Sequence, residues 1–323
     1  MLAVSCTVLT LLLCFCPVAA SGTNRREILD ERWKLQAKEI KENNLKSVNN
    51  YTAKIDPKKS FGTWTGWGTS LAWWAVAFGN RDDLADAIFS MNDSVIVSTN
   101  GGSVTVPGLG LTIARYNIGA SSHTPAGGDH MVVSPNMIPQ RAVDALFLTW
   151  EHNNTYDWSR DANQRAMLQK AQMRGANTLQ LFSNSPVWFH LNNHNPSGAN
   201  NGADDNLQTW NHRQFAQMMA EVAAHFSTVW GLKFQSVEAF NEPISNWWNA
   251  KGTQEGCHFD VDTQKSVVQE LRKQLDAYGL HDTHIAASDE NTYTEAISTW
   301  KGLGDTARGL FHSHFKNQHV VYF

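Results

Sequence analysis

The stretch Val237-Glu-Ala-Phe-Asn-Glu-Pro243 puts a carboxylate where a strand has to stop. Val237, Ala239 and Phe240 are sheet-type residues. Proline cannot donate to a ladder, so the strand ends before Pro243 and leaves Asn241 and Glu242 at its tip. An amide beside a carboxylate can hold a hydroxyl and move a proton. Other apolar runs end in the same way. Arg115 and Asn117 close one, Asn184 another, Asp289, Glu290 and Asn291 a third, and His312 stands near the end of a fourth. Six tryptophans lie close by in sequence: Trp67, Trp73, Trp74, Trp188, Trp247 and Trp248. Amides and carboxylates exchange hydrogen bonds with hydroxyls, and indoles cover the C–H faces of sugar rings. The pattern therefore describes a polar cup with an aromatic rim, suited to a neutral, hydroxyl-rich ligand. Each residue also has a plainer role open to it: an ion pair for Glu242 or Arg115, a loop cap for Asn184, core packing for Trp67 and Trp188. The histidines give no pair at metal-ligand spacing on a convincing helix, since His190 and His194 lie in an Asn-rich loop, so no metal site is expected.

Strand ends can only gather into a cup if the strands are parallel. Apolar runs at 64–68, 111–116, 177–182, 235–240, 283–287 and 309–313 predict strands, and helical patterns fall between them at 80–91, 137–150, 159–174, 210–230, 260–279 and 292–300. In 210–230, Phe215, Met218, Met219, Val222 and Phe226 recur at three- and four-residue spacing. Strands alternating with such helices imply crossover units and a parallel sheet in an α/β protein. A doubly wound sheet would carry a glycine-rich phosphate loop after its first strand. Gly66 and Gly68 stand there, but in the bulky aromatic stretch GWGTSLAWWA, which suits no pyrophosphate. Polar residues at the C-terminal ends of many strands fit a (β/α)8 TIM-type barrel better.

The rest of the chain bounds the class. Of 323 residues, 42% are hydrophobic and 13 are Trp, enough for a large core. A net charge of −4 offers no basic field for nucleic acid. Residues 1–20 read as a secretory signal peptide, with Val18 and Ala20 before the cleavage point, and residues 21–60 as a charged extension. Cleavage would remove Cys6, Cys14 and Cys16, leave Cys257 alone, and give a secreted, extracellular protein free of the membrane. Asn50, Asn92 and Asn153 begin glycosylation sequons, in keeping with that route.

Four blocks, GWGTSLAWWAVAFGNRDDLAD, LTIARYNIGASS, LQLFSNSPVWF and VEAFNEP, occur in this order between Phe61 and His314. Together they resemble glycoside hydrolase family 30, and within it the fungal-type endo-β-1,6-galactanases. The resemblance implies a retaining glycosidase on a (β/α)8 barrel, with Glu242 as acid/base and no cofactor. Asn241 would then hold the sugar's 2-hydroxyl or the nucleophile, and Arg115 would keep that nucleophile ionised. Asn117, Trp67, Asn184, Trp188, Trp247, Trp248, Glu290 and His312 would line the substrate site, with His314 competing for the His312 register. The substrate would be a β-1,6-linked galactan or a related polysaccharide, and the complete protein a monomer. The family's nucleophile is a glutamate at the end of strand seven, whereas Phe323 follows strand six. The expectation is therefore an incomplete barrel of about six βα units over residues 61–323, truncated at its C-terminal side. Two readings compete with hydrolysis: a carbohydrate-binding pseudoenzyme or gene-model fragment without a nucleophile, and a structural wall protein whose charged N-terminal segment is its interaction arm.

Overall fold

Strands that alternate an outward apolar residue with an inward polar one set the frame. The computed structural model describes residues 56–59, 64–151 and 155–310. Two compact units divide the chain, Met1–Lys59 and Ser60–Phe323, and every described helix and strand lies in the second. In order these are β1 (Gly68–Ser70), α1 (Trp74–Phe78), α2 (Asp82–Phe89), β2 (Val95–Thr99), β3 (Gly102–Val106), β4 (Ile113–Ile118), β5 (Phe147–Thr149) and β6 (Thr155–Tyr156). Then follow α3 (Ala162–Met173), β7 (Thr178–Ser183), α4 (His212–Trp230), β8 (Ser236–Glu238), α5 (Val261–Ala277), β9 (His284–Ala286) and α6 (Tyr293–Arg308).

Five strands make one sheet in the order β1-β4-β7-β8-β9, every neighbouring pair parallel. The expected α/β parallel architecture is present. Among the described residues the sheet does not close, and β1 and β9 form its edges. Register stacks the inward positions in layers: Arg115 beside Gln180 and Ser236, then Asn117 beside Phe182 and Glu238. The alternate positions, Tyr116, Leu181 and Val237, face the helices and are fully buried. Helix α4 meets them with Phe215, Met218, Met219, Val222 and Phe226, its predicted stripe. Gly231, left-handed at φ 67°, ends α4 by returning its N–H to the carbonyl of Phe226. Helix α5 packs through Val267, Val268, Leu271 and Leu275. No helix among the described residues is long and apolar enough to cross a membrane.

The structure departs from the sequence reading in four places. Residues 137–150 are not a helix; they hold one 3-10 turn at Pro139–Arg141 and strand β5. The reason is competition for backbone groups. The N–H of Val143 goes to the Glu255 carboxylate and that of Ala145 to the Ser121 carbonyl, so the segment is held extended. The first strand begins at Gly68 rather than 64, which moves Trp67 to the N-terminal end of the sheet. The N–H groups of Thr112 and Ile113 fix it there by donating to the Trp67 carbonyl. A β2–β3 hairpin, antiparallel from Val95↔Val106 to Thr99↔Gly102, replaces the unassigned stretch after α2. Of the sixth predicted strand, 309–313, only Gly309 and Leu310 are described, and they form a turn. The other three residues lie outside the described residues, as do His312, Asn50, Asn153, the signal segment and most of the 21–60 extension.

Candidate active site

Glu238, Asn241 and Asp289 converge on Arg115 at the C-terminal side of the sheet. Its side chain enters the inner face of β4 and is nearly buried. Nε and Nη2 donate to Glu238 Oε2 at 3.0 and 2.6 Å. Nη2 also donates to Asp289 Oδ2 at 2.6 Å, and Nη1 to Asn241 Oδ1 at 3.3 Å. The guanidinium lies 3.5 Å above the ring centre of Phe182. One cation thus ties β4 to β8, to the loop carrying Glu242 and to the end of β9. Burial pushes the Glu238 carboxyl above its ordinary range, against the pull of Arg115.

Glu242 follows β8 by four residues and is left-handed at φ 49°, as is Asp289 at φ 59° after β9. Such backbone is uncommon for residues with a Cβ and clusters at functional sites. The two turns are fastened together: Glu242 N–H donates to the Asp289 carbonyl at 2.8 Å. Glu242's own carbonyl accepts from Ser245 N–H at 3.1 Å and from Trp248 Nε1 at 2.9 Å. Its carboxyl is half-buried, and its pKa is raised, first by desolvation and then by the negative charge of Asp289. A hydrogen bond from Trp247 and the charge of Arg115 pull the other way, and Glu295 adds to the rise. A carboxyl whose protonated form is favoured by burial and by an acidic neighbour is equipped to give up a proton as a general acid.

The remaining predicted residues separate into those at the surface and those beneath it. Asn241 accompanies Glu242 and is half-buried. Trp247 is 44% exposed on the same loop. Trp67 is 47% exposed, but at the opposite end of the sheet, packed edge-on against Trp64. It is not part of the rim around Glu242. Trp188 is completely buried and Trp248 almost so, which corrects their placement on that rim. Both pack between loops; Trp248 is wedged beside Gly198 and Gly256, where side chains would collide with it. Asn117 and Asn184 are buried and bonded to one another, Asn184 N–H to Asn117 Oδ1 at 3.1 Å. They support the floor rather than face the opening. Glu290 accepts from Ile244 N–H and Thr299 Oγ, anchoring the Glu242 loop to α6. Asn92 is exposed ahead of the hairpin.

Two carboxyls were missed by reasoning from strand ends. Glu238 sits one register layer above Arg115, inside β8, and its signal was a charged residue between Val237 and Ala239 in an otherwise apolar strand. Glu255, fully buried, gathers three donors on Oε1: Ala120 N–H, Ser121 Oγ and Val143 N–H. It thereby locks together the loops that follow β4 and β8. Burial raises its pKa to about 8 against those donors. The Asn117 amide favours its charged form as well, although Asn117 Nδ2 and Glu255 Oε2 fall outside hydrogen-bond geometry. Among the described residues no cluster of His, Cys, Asp and Glu could hold a metal ion. Cys257 is a buried thiol whose Sγ donates to the His258 carbonyl at 3.3 Å.

Comparison with known proteins gives this arrangement its context. The model of O-glycosyl hydrolase family 30 matches residues 48–317. An endo-beta-1,6-galactanase of Hypocrea rufa is 53% identical over 263 residues, covering 80% of this chain and 53% of that protein. The chain therefore spans about half the length of that relative. Among solved structures, a conserved exported protein from Bacteroides fragilis superposes with a TM-score of 0.59 at 23% identity, covering 74% of this chain and 46% of that one. The catalytic domain of GH30 xylanase C from Talaromyces cellulolyticus gives 0.55 at 20% identity, covering 80% and 54%. At such identities these two structures speak for the fold alone.

Proposed function

The chain belongs to O-glycosyl hydrolase family 30, and we propose on that premise that it contributes the acid/base side of a secreted, retaining endo-β-1,6-galactanase. One observation carries the reading. Glu242, at the C-terminal end of β8, is half-buried with a raised pKa and fixed through both its N–H and its carbonyl. In the reaction, the Glu242 carboxyl gives its proton to the glycosidic oxygen as the bond to the anomeric carbon breaks, and the departing sugar leaves as an alcohol. A carboxylate on the opposite face of the ring, about 5–5.5 Å away in a retaining pair, takes the anomeric carbon. Glu242, now ionised, removes a proton from water, whose oxygen displaces that carboxylate and regenerates both groups. Proton transfer matters for this linkage because the leaving group is a primary alkoxide, a strong base. On this reading Asn241 receives a hydroxyl beside the reacting carbon. Arg115 orients the Asn241 amide and also donates to Glu238 and Asp289.

The galactan assignment rests on the Hypocrea rufa relative, whose printed activity is transferred here over the shared 263 residues. Secretion rests on residues 1–20 and on the sequons at Asn50, Asn92 and Asn153. The test replaces one residue in the full chain. Glu242→Gln should reduce galactan hydrolysis by about 10²–10⁴-fold, the usual contribution of a general acid. Binding of a β-1,6-galacto-oligosaccharide, followed by calorimetry, should persist. Turnover equal to that of the unmodified protein would remove Glu242 from the mechanism. A protein that binds the oligosaccharide yet releases no product on long incubation would be a carbohydrate-binding protein instead.

A further inference from the structure

Glu238 puts a carboxylate inside the sheet, between the buried Val237 and Ala239. Its side chain is only 7% exposed, so it cannot be a group that a sugar touches. Nε and Nη2 of Arg115 converge on one of its oxygens, Oε2, at 3.0 and 2.6 Å. Arg115 comes from β4 and reaches Glu238 across β7, where its guanidinium lies 3.5 Å above the ring centre of Phe182. Phe182 and Glu238 are register partners, so the guanidinium is held on its face by one and on its edge by the other. Asp289 also binds it, but from a loop and with a side chain 31% exposed. A buried ion pair seldom adds stability over apolar side chains of equal volume. Stability alone therefore does not explain a carboxylate at this place in β8.

The clamped guanidinium has a further contact. Nη1 donates to Asn241 Oδ1 at 3.3 Å, directly before Glu242. Arginine has donors and no acceptor, so the end of the amide that meets it must be the oxygen. Nδ2 and its two N–H groups are thereby turned away from Arg115. We propose that Glu238 is a positioning residue for the reaction: through Arg115 it sets the rotation of the Asn241 amide, so that the site offers N–H donors rather than a carbonyl beside Glu242. This rests on the reading of Asn241 and Glu242 given above. It also names what that position accepts. The sugar must present an oxygen acceptor next to its reacting carbon. A hydroxyl satisfies this, whereas an ammonium at the same carbon only donates and is refused. Hydrogen bonds at that hydroxyl strengthen in the transition state, so a wrongly turned amide costs rate more than affinity.

The test is a cycle in the full chain: Glu238→Met, Asn241→Ala and the two together. Glu238→Met keeps the volume and removes the acceptor. Each single variant should lower kcat on β-1,6-galactan by about 10²-fold, with KM raised by no more than about fivefold. The double variant should be no slower than Asn241→Ala alone, because Glu238 acts only through that amide. Glu238→Gln keeps an oxygen where Oε2 stands, and should recover turnover to within about tenfold of the unmodified protein. The same cycle read as calorimetric affinity for β-1,6-galactotriose needs no turnover; each single variant should bind about fivefold more weakly, and the double variant no worse. A Glu238→Met loss of equal size with and without the Asn241 amide would make Glu238 a structural ion-pair partner and overturn the proposal. So would unchanged kcat and affinity in Glu238→Met, or failure of both Glu238 variants to fold by urea denaturation. In each of those cases a Glu242→Gln chain that no longer cleaves galactan leaves the acid standing. If Glu242→Gln cleaves normally, or if the unmodified chain neither cleaves galactan nor binds galactotriose, the reading beneath the proposal fails and Glu238 goes with it.

Discussion

Replacing Gly256 with Ala should reach the candidate acid without touching it. A methyl group built on Gly256 would stand 1.9 Å from Trp248 Cε3, and 2.3 and 2.6 Å from the next two ring atoms. Ordinary carbon contacts are about 3.5–4.0 Å, so the indole has to retreat by about 1.5 Å. It has little open space to move into, being 4% exposed. Overpacking of this kind costs about 1–3 kcal/mol. Gly256 carries no left-handed backbone, so the effect is steric only. The retreat also breaks the 2.9 Å bond from Trp248 Nε1 to the Glu242 carbonyl, which helps hold that residue in its left-handed turn. A misplacement of about 1 Å at a reacting group can cost about 10²-fold in rate. The expected outcome is a large fall in galactan turnover with a modest fall in stability, read as kcat and as the urea midpoint of the same preparation. Near-UV circular dichroism should register the displaced indole. A Gly256→Ala protein with unchanged turnover and an unchanged near-UV spectrum would show that Trp248 does not hold Glu242 in place.

Three further outcomes follow from the packing and the buried charges. Phe226 is fully buried and touches the rings of Tyr116, Trp230 and Phe234, so Phe226→Ala should cost about 3–5 kcal/mol in urea denaturation; a loss under 1 kcal/mol would contradict the packing of α4 on the sheet. Glu255 ionises near 4.5 in an unfolded chain and at about 8 when folded. Below pH 4.5 both states hold the proton; above it only the unfolded chain loses it, so Glu255 lowers stability by about 1.4 kcal/mol per pH unit, on the order of 5 kcal/mol by pH 8 and level beyond. Glu255→Gln should erase that slope, so urea midpoints of wild type and variant that run parallel from pH 4 to 9 would refute the burial argument. Asn92 is exposed within its sequon, and a protein secreted from a eukaryotic host should lose mass on endoglycosidase treatment, less so after Asn92→Gln; equal losses would show that Asn92 carries no glycan.

What could be read in the sequence was whatever depends on local pattern. The long helices α4 and α5 announce themselves because their buried residues repeat at helical spacing over several turns, and the apolar runs at 111–116 and 177–182 fall within two residues of β4 and β7. What could not be read was whatever depends on register. Arg115 and Glu238 are 123 positions apart, and only the pairing of β4 with β7 and β7 with β8 brings them within 2.6 Å on the inner face. The tryptophans make the same point more sharply. Trp247 and Trp248 are chemically identical neighbours, yet Trp247 is 44% exposed while Trp248 is buried with its Nε1 on the Glu242 carbonyl. Gly256 leaves room for the Trp248 indole and Gly198 for its backbone carbonyl, and neither glycine adjoins Trp248 in sequence. Composition could count the indoles that might cover a sugar. Only the packing around Trp248 reveals that it is an interior indole and that Trp247 is the one left outside.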